Sequence, residues 1–215
     1  MYRKVAFAPE EYYHLYNRGV DKRIIFTSSS DYARFLKMMY VCNSIKSVRF
    51  EEFKDVNFSY IEKGESLVDI GAYCLMPNHF HLLVREKDDG GITTFMKKLL
   101  TGYSMYFNKK YQRTGALFQG RFQAEHAGED TYLNYLFSYI HLNPVKYLIK
   151  DKKFDLAKEN IKKFKYSSYL DYMGVVREEA CILNRDNFPE YFSSNLDFND
   201  FINEWIEFEK NYTTD

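Results

Sequence analysis

Three features of the sequence predict an α+β fold built on an antiparallel sheet. Strand-like and amphipathic helical stretches alternate through residues 11–146. Two of the strands are joined by a tight Pro77-Asn78 turn, and the segments on either side of that hairpin each hold one helix. The resulting order is strand, helix, strand, strand, helix, strand, then an additional helix. A β-α-β-β-α-β series is the ferredoxin-like arrangement, with both crossover helices on one face of the sheet. The opposite face is expected to stay free for a site.

The opening stretch EYYHLYNRG (11–19) is strand-like and ends at Gly19. In SSSDYARFLKMMYVCNSI (28–45) serines offer caps, and Phe35, Met38, Met39, Val41 and Cys42 follow at helical spacing. Residues 52–65 are mostly polar and read as a connection, or as a strand with its loop. SLVDIGAYCLM (66–76) is a strand, Pro77-Asn78 turns the chain, and HFHLLVRE (79–86) returns beside it. DDGG (88–91) closes the hairpin before a helix over 93–111, and GALFQGRFQAEHA (115–127) reads as a further strand. The additional helix begins near 128 with acidic residues in its first turn and runs until Pro144 forbids continuation. A short helix over 166–174 and an acidic, aromatic tail complete the chain.

Composition narrows the class of protein. With 215 residues, 46% hydrophobic and 28% charged, the chain can bury a sizeable core. Its three cysteines are scattered and form no C-x-x-C pair, so neither a disulfide framework nor a zinc knuckle is expected. No signal-peptide or membrane-spanning run is seen, and a cytoplasmic protein without membrane contact is expected. Formal net charge is zero, but its distribution is uneven. Between Ile92 and Gln123 every charged residue is basic (Lys97, Lys98, Lys109, Lys110, Arg113, Arg121), whereas acids dominate from Arg185 to the end. A basic middle of this kind can track phosphates.

The chemistry-bearing pattern lies in MPNHFHLLV (76–84). Side chains two apart on a strand share a face, so His79 and His81 stand together with Leu83 and Arg85, and Phe80, Leu82 and Val84 face the core. Two imidazoles so placed can bind one cation, but a third ligand is needed, for which His14, His126 and His141 are candidates. The helix after the last strand offers another. Tyr139 and Asn143 are one turn apart on one helical face. The amide oxygen of asparagine is a hard ligand suited to Mg²⁺ or Mn²⁺, and a phenol oxygen is a nucleophile once its proton is removed. Leu133, Phe137 and Ile140 give this helix its apolar side, and Tyr132, Leu136, Tyr139 and Asn143 line another.

Taken together, YCLMPNHFHLLV, GALFQGRFQAE, YLNYLFSYIHLNPVK and YSSYLDYMG resemble the REP-associated tyrosine transposase family, one of the single-tyrosine HUH transposases; YYHLYNRGVDKRIIF is similar to that family's opening strand. The resemblance covers residues 11–175. It implies that His79 and His81 are the HUH pair holding a divalent cation, Mg²⁺ or Mn²⁺. It implies Asn143 as the polar residue completing that site and Tyr139 as the nucleophile. It further implies cleavage of single-stranded DNA beside hairpin-forming repeats through a 5′-phosphotyrosine. Residues 1–150 would form the catalytic domain, and residues 151–215 a helical extension with the acidic tail.

With DNA as partner, Arg18, Lys97, Lys98, Gln119, Arg121 and Lys146 are expected to contact the strand, while exposed aromatics stack on bases. His141 is a further candidate for proton transfer or a DNA contact. The acidic tail is expected to cover the site, to mediate a homodimer or to bind a partner protein. Two other readings stay open: a replication initiator or relaxase using the same chemistry, and a non-catalytic nucleic-acid-binding module on the same sheet. The joint presence of His79, His81, Tyr139 and Asn143 argues against pure binding.

Overall fold

A computed structural model describes residues 5–47, 50–53 and 55–212. Strands β1 (Tyr12–Arg18), β2 (Val68–Met76), β3 (His79–Glu86) and β4 (Gln123–His126) form one sheet in the order β2-β3-β1-β4, with every neighbouring pair antiparallel. Helix α1 (Ser29–Cys42) crosses from β1 to β2, and α2 (Gly91–Lys110) crosses from β3 to β4. This is the ferredoxin-like order read from the sequence.

Both crossover helices cover one face. Phe35 and Met39 of α1 and Phe95, Leu99 and Tyr103 of α2 pack on Tyr13, Leu15, Phe80, Leu82 and Val84, all essentially inaccessible to water. Truncating a buried aromatic such as Phe80 to alanine would cost about 3–5 kcal/mol. The start of α1 is set by Asp31, whose carboxylate accepts from the backbone N–H groups of Thr27 and Ser28 at 2.8 and 2.9 Å. Lys110, Tyr106 and Tyr111, near the end of α2, bond the same buried carboxylate and tie the two helices together.

The second face is not free, contrary to the sequence-based expectation. Helix α3 (Asp130–Leu142) lies across it, and Leu133, Leu136, Phe137 and Ile140 meet Ala72, Cys74 and Leu83 of the sheet. Leu136 belongs to this apolar side and is only 1% exposed. The sheet presents apolar residues here because β2 carries a bulge between Ile70 and Ala72. The extra residue, Gly71, has no room for a side chain: a Cβ there would lie 2.6 Å from the Phe188 ring. Downstream of the bulge, Tyr73 and Leu75 face the crossover helices and Ala72 and Cys74 face α3. The end of the face near the Pro77-Asn78 turn stays open.

The remaining elements build outward from α3. A 3-10 turn (Asn143–Val145) replaces regular helix at Pro144, and α4 (Lys146–Lys150), α5 (Phe154–Ile161) and α6 (Tyr169–Tyr172) follow. The acidic tail forms α7 (Asn195–Tyr212), whose Phe198, Ile202 and Ile206 are buried in the second core. Asp215, the last acid of the tail, lies outside the described residues.

Two further departures have local causes. The expected strand over 115–127 is reduced to β4, because Gly115 and Gly120 take φ values of 83° and 70° that break an extended run. Its remainder loops across the core and contributes Leu117, Phe118 and Phe122. In the polar connection over 52–65 the described residues form 3-10 turns and no strand.

Candidate active site

The open end of the sheet gathers the candidate residues. Cross-strand register places Tyr16 opposite His81 and Arg18 opposite His79, so these side chains line one edge of a hollow. The far wall is the C-terminal end of α3, with Tyr139 and Asn143. The hollow has a volume of about 570 Å³ and is completed by Asn17, Lys22, Asn78, Gln119 and Gln123.

Asn143 reaches the histidine pair. Its Oδ1 lies 3.3 Å from His79 Nε2, while its Nδ2 donates to the Tyr139 carbonyl at 3.4 Å. On the other side of the same ring, His79 Nδ1 is 2.6 Å from Asn78 Oδ1. That oxygen can only accept, so the proton of the neutral ring sits on Nδ1 and Nε2 carries a lone pair. Two acceptors, His79 Nε2 and Asn143 Oδ1, therefore converge with no proton between them. Two facing lone pairs of this kind are donors that could hold a divalent cation. His81 lies beside them, its ring 5.0 Å from that of His79 and at 86° to it.

Burial keeps these rings neutral. It lowers the His79 pKa against the opposing Asn143 contact, and drives His81 well below the ordinary histidine range, with His14, His79 and Lys146 adding to the effect. Neutral imidazoles are the form that binds metal. Among the described residues no three of His, Cys, Asp and Glu form a group that could hold a metal ion; the oxygen nearest the His79 ring nitrogen Nε2 is Asn143 Oδ1.

Tyr139 is held by its ring. It meets His81 edge-on at 5.4 Å and His14 at 5.7 Å, and Lys146 Nζ lies 5.0 Å from its centroid. Its hydroxyl has no hydrogen-bond partner among the described residues and stays available to an incoming group.

The other candidates are dispersed. Arg18 is exposed at the rim, and its Nε donates to Gln119 Oε1. Lys97 and Arg121 line a separate hollow with Phe122. Lys98 turns away and donates to the carbonyls of Ser44 and Lys46 at 2.6 and 2.9 Å. His126 pairs with Glu11 at 2.6 Å on the sheet edge.

His141 is removed from any contact with DNA. It is fully buried, bonded to the Phe137 carbonyl and to Ser168 Oγ at 2.7 Å each, and burial lowers its pKa to about 3. The acidic helix α7 packs on the outer side of α3, where Trp205 meets Tyr135 at 5.2 Å. Residues missed by sequence reasoning were still legible in strand alternation. Tyr16 shares a face with His14 and Arg18, and Gln123 shares one with Glu125.

A His-x-His pair on the central strand of a ferredoxin-like sheet, facing a helix-borne tyrosine with an asparagine one turn later, is the constellation of a single-tyrosine HUH transposase-like nuclease. The sequence model of the IS200-like transposases matches residues 36–143, just over half of the chain and inclusive of all four residues, and the chain belongs to that family. Its fold is also similar to the solved structure of a REP-associated tyrosine transposase bound to a REP hairpin. That likeness has a TM-score of 0.51 and 14% identity over 90% of this chain and 91% of the other. A tRNA(His) guanylyltransferase from Saccharomyces cerevisiae is a distant neighbour at a TM-score of 0.35 and 11% identity, over 87% of this chain and 84% of the other. A comparison with curated proteins finds no match.

Proposed function

We propose that this chain is a divalent-cation-dependent endonuclease and strand transferase acting on single-stranded DNA beside hairpin-forming repeats, with Tyr139 as its nucleophile. The observation that carries this reading is the convergence of His79 Nε2 and Asn143 Oδ1, at 3.3 Å, in the hollow that Tyr139 also lines. His79, His81 and Asn143 hold the cation in this scheme. A bound Mg²⁺ or Mn²⁺ supplies Lewis-acid polarisation of the scissile phosphate and a template for its orientation.

The protein's own residues do the rest. The Tyr139 hydroxyl attacks phosphorus and loses its proton to solvent or a base. The P–O3′ bond breaks, leaving a 3′-OH on one strand and a 5′-phosphotyrosine on the other. Lys146, beside the phenol ring, offsets the charge that develops on its oxygen. Arg18, Gln119 and Lys22 at the rim hold the backbone of the strand. Because ester energy is retained in the phosphotyrosine, attack by another 3′-OH reverses the step and joins strands without a nucleotide cofactor. The REP hairpin on the solved relative supports a folded DNA hairpin as the recognised feature.

The test is incubation with a labelled single strand bearing a hairpin, in Mg²⁺ or Mn²⁺. A covalent protein–DNA adduct is expected in the wild type and absent in Tyr139→Phe. An adduct that persists in Tyr139→Phe removes the nucleophile assignment. Cation-dependent cleavage that survives unchanged in His79→Ala removes the metal site.

A further inference from the structure

Strand β1 brings a third histidine to the back of the ligand pair. His14 is 3% exposed, and its Nε2 lies 2.9 Å from His81 Nδ1, with the two rings stacked at 5.1 Å. One strand further out, Glu125 is the direct cross-strand partner of His14. The Glu125 carboxylate accepts from Tyr16 at 2.8 Å and from Tyr132 at 2.9 Å. Its Oε2 stands 3.9 Å from His14 Nδ1, beyond hydrogen-bond range, so that buried nitrogen has no hydrogen-bond partner among the described residues. The sequence suggested His14 as a metal ligand. The structure puts it behind one.

A 2.9 Å contact between two neutral imidazoles holds one proton, which has two positions. If His14 Nε2–H donates, His81 must carry its own proton on Nε2, and the only nitrogen it has left for a metal loses its lone pair. His14 Nδ1 would then point a bare lone pair at the Glu125 carboxylate. If His81 Nδ1–H donates instead, His14 carries its proton on Nδ1 and points an N–H at that carboxylate. Burial works against the charge of Glu125, but the Tyr16 and Tyr132 hydroxyls, together with the neighbouring His14, outweigh burial and lower its pKa, so the carboxylate stays ionised. Its negative charge favours the second arrangement. Closing the gap by about 1 Å would satisfy the orphaned nitrogen with a charge-assisted bond.

We propose that Glu125 and His14 form a tautomer-setting chain in which Glu125 fixes the His14 proton on Nδ1, His14 Nε2 accepts from His81 Nδ1–H, and His81 Nε2 is kept as a lone pair for the cation. This inference rests on the metal site proposed above. His14 is a positioning residue here, touching neither phosphate nor DNA. The device extends by one imidazole the general pattern in which a carboxylate orients a metal-bound histidine. It requires a histidine on β1, a carboxylate on β4 and the β4-β1-β3 order that lines them up.

Two measurements on the full chain test it. The first is the imidazole nitrogen shifts of the ¹⁵N-labelled, metal-free protein near neutral pH. The expected result is a proton on Nδ1 in both His14 and His81. The second is Mn²⁺ binding followed by electron paramagnetic resonance. His14→Leu is expected to weaken binding about 10–100-fold, and Glu125→Gln about tenfold, with His81 shifting toward its Nε2–H form in both. His14→Gln, whose amide oxygen can still accept from His81, is expected to restore both the tautomer and most of the affinity. If His14→Leu does not fold, Glu125→Gln and His14→Gln decide the question. A wild-type His81 protonated on Nε2, or unchanged Mn²⁺ affinity and tautomer in Glu125→Gln, overturns the proposal. Should Mn²⁺ binding be equal in wild type and His79→Ala, the metal site itself fails, while the shifts in metal-free protein still decide the chain.

Discussion

The Tyr139 ring stands edge-on to His81, with centroids 5.4 Å apart and planes at 85°. One residue comes from the C-terminal half of α3 and the other from the central strand β3, so the docking of α3 on the sheet sets where the phenol points. Lys146, one turn beyond Asn143, places its Nζ 5.0 Å from the centre of the same ring. Replacing it with glutamine removes a positive charge beside the phenol ring. Adduct formation under single-turnover conditions is expected to slow about fivefold to tenfold, with DNA binding less affected.

Asn143 separates a ligand role from a helix-end role. Asn143→Ala deletes the oxygen that faces His79, and the Mn²⁺ concentration for half-maximal cleavage is expected to rise at least about tenfold. Asn143→Asp keeps an oxygen there and adds charge, so it is expected to retain cleavage at equal or lower Mn²⁺. A metal titration of cleavage in the two variants reads the difference. Equal titration curves for Asn143→Ala and wild type would exclude Asn143 from the metal.

Arg18 lies at the rim, held by Gln119. Arg18→Ala is expected to weaken binding of single strands about evenly across sequences. It should also lower the slope of log affinity against log salt by about one. Fluorescence anisotropy at several salt concentrations measures both; an unchanged slope would mean that Arg18 meets no phosphate.

Asp31 offers a stability test remote from the chemistry. It is fully buried, with Lys110, Tyr106 and Tyr111 on its carboxylate. Burial raises its pKa, but these bonds and the Ser28 N–H outweigh it, and the net shift is downward. A carboxyl whose folded pKa lies below its unfolded value contributes stability that is present above the unfolded value, about 4, and lost as pH falls through the lowered one. Asp31→Ala is expected to cost about 3 kcal/mol at neutral pH, because Lys110 loses its partner and α1 loses its cap. Urea unfolding from neutral to acidic pH should show the variant with a shallower loss in acid. Parallel pH profiles for the two proteins would contradict this account.

Much of this molecule was legible in the chain. Period-2 alternation placed His79 and His81 on one face of β3 and Phe80, Leu82 and Val84 on the other, because a pleated strand leaves side chains no other choice. A spacing of four placed Tyr139 and Asn143 on one side of α3 by the same kind of geometric necessity. The same alternation puts His14, Tyr16 and Arg18 in one row, although nothing local distinguishes the two that line the hollow from the one behind it.

Which side chains share a face of their own element is thus a local matter, readable from the chain. Period and turn chemistry act over a few residues, and so are written locally. Tertiary structure alone decided how faces meet: that α3 covers the sheet, that Asn143 Oδ1 comes within 3.3 Å of His79 Nε2, that His141 is sealed in the second core, and that Glu125 stands behind His14. Those relations depend on the β2-β3-β1-β4 order, on the bulge at Gly71 and on how apolar side chains from distant segments fill one volume. Close packing of a whole core is a collective property, and no window of the sequence contains it.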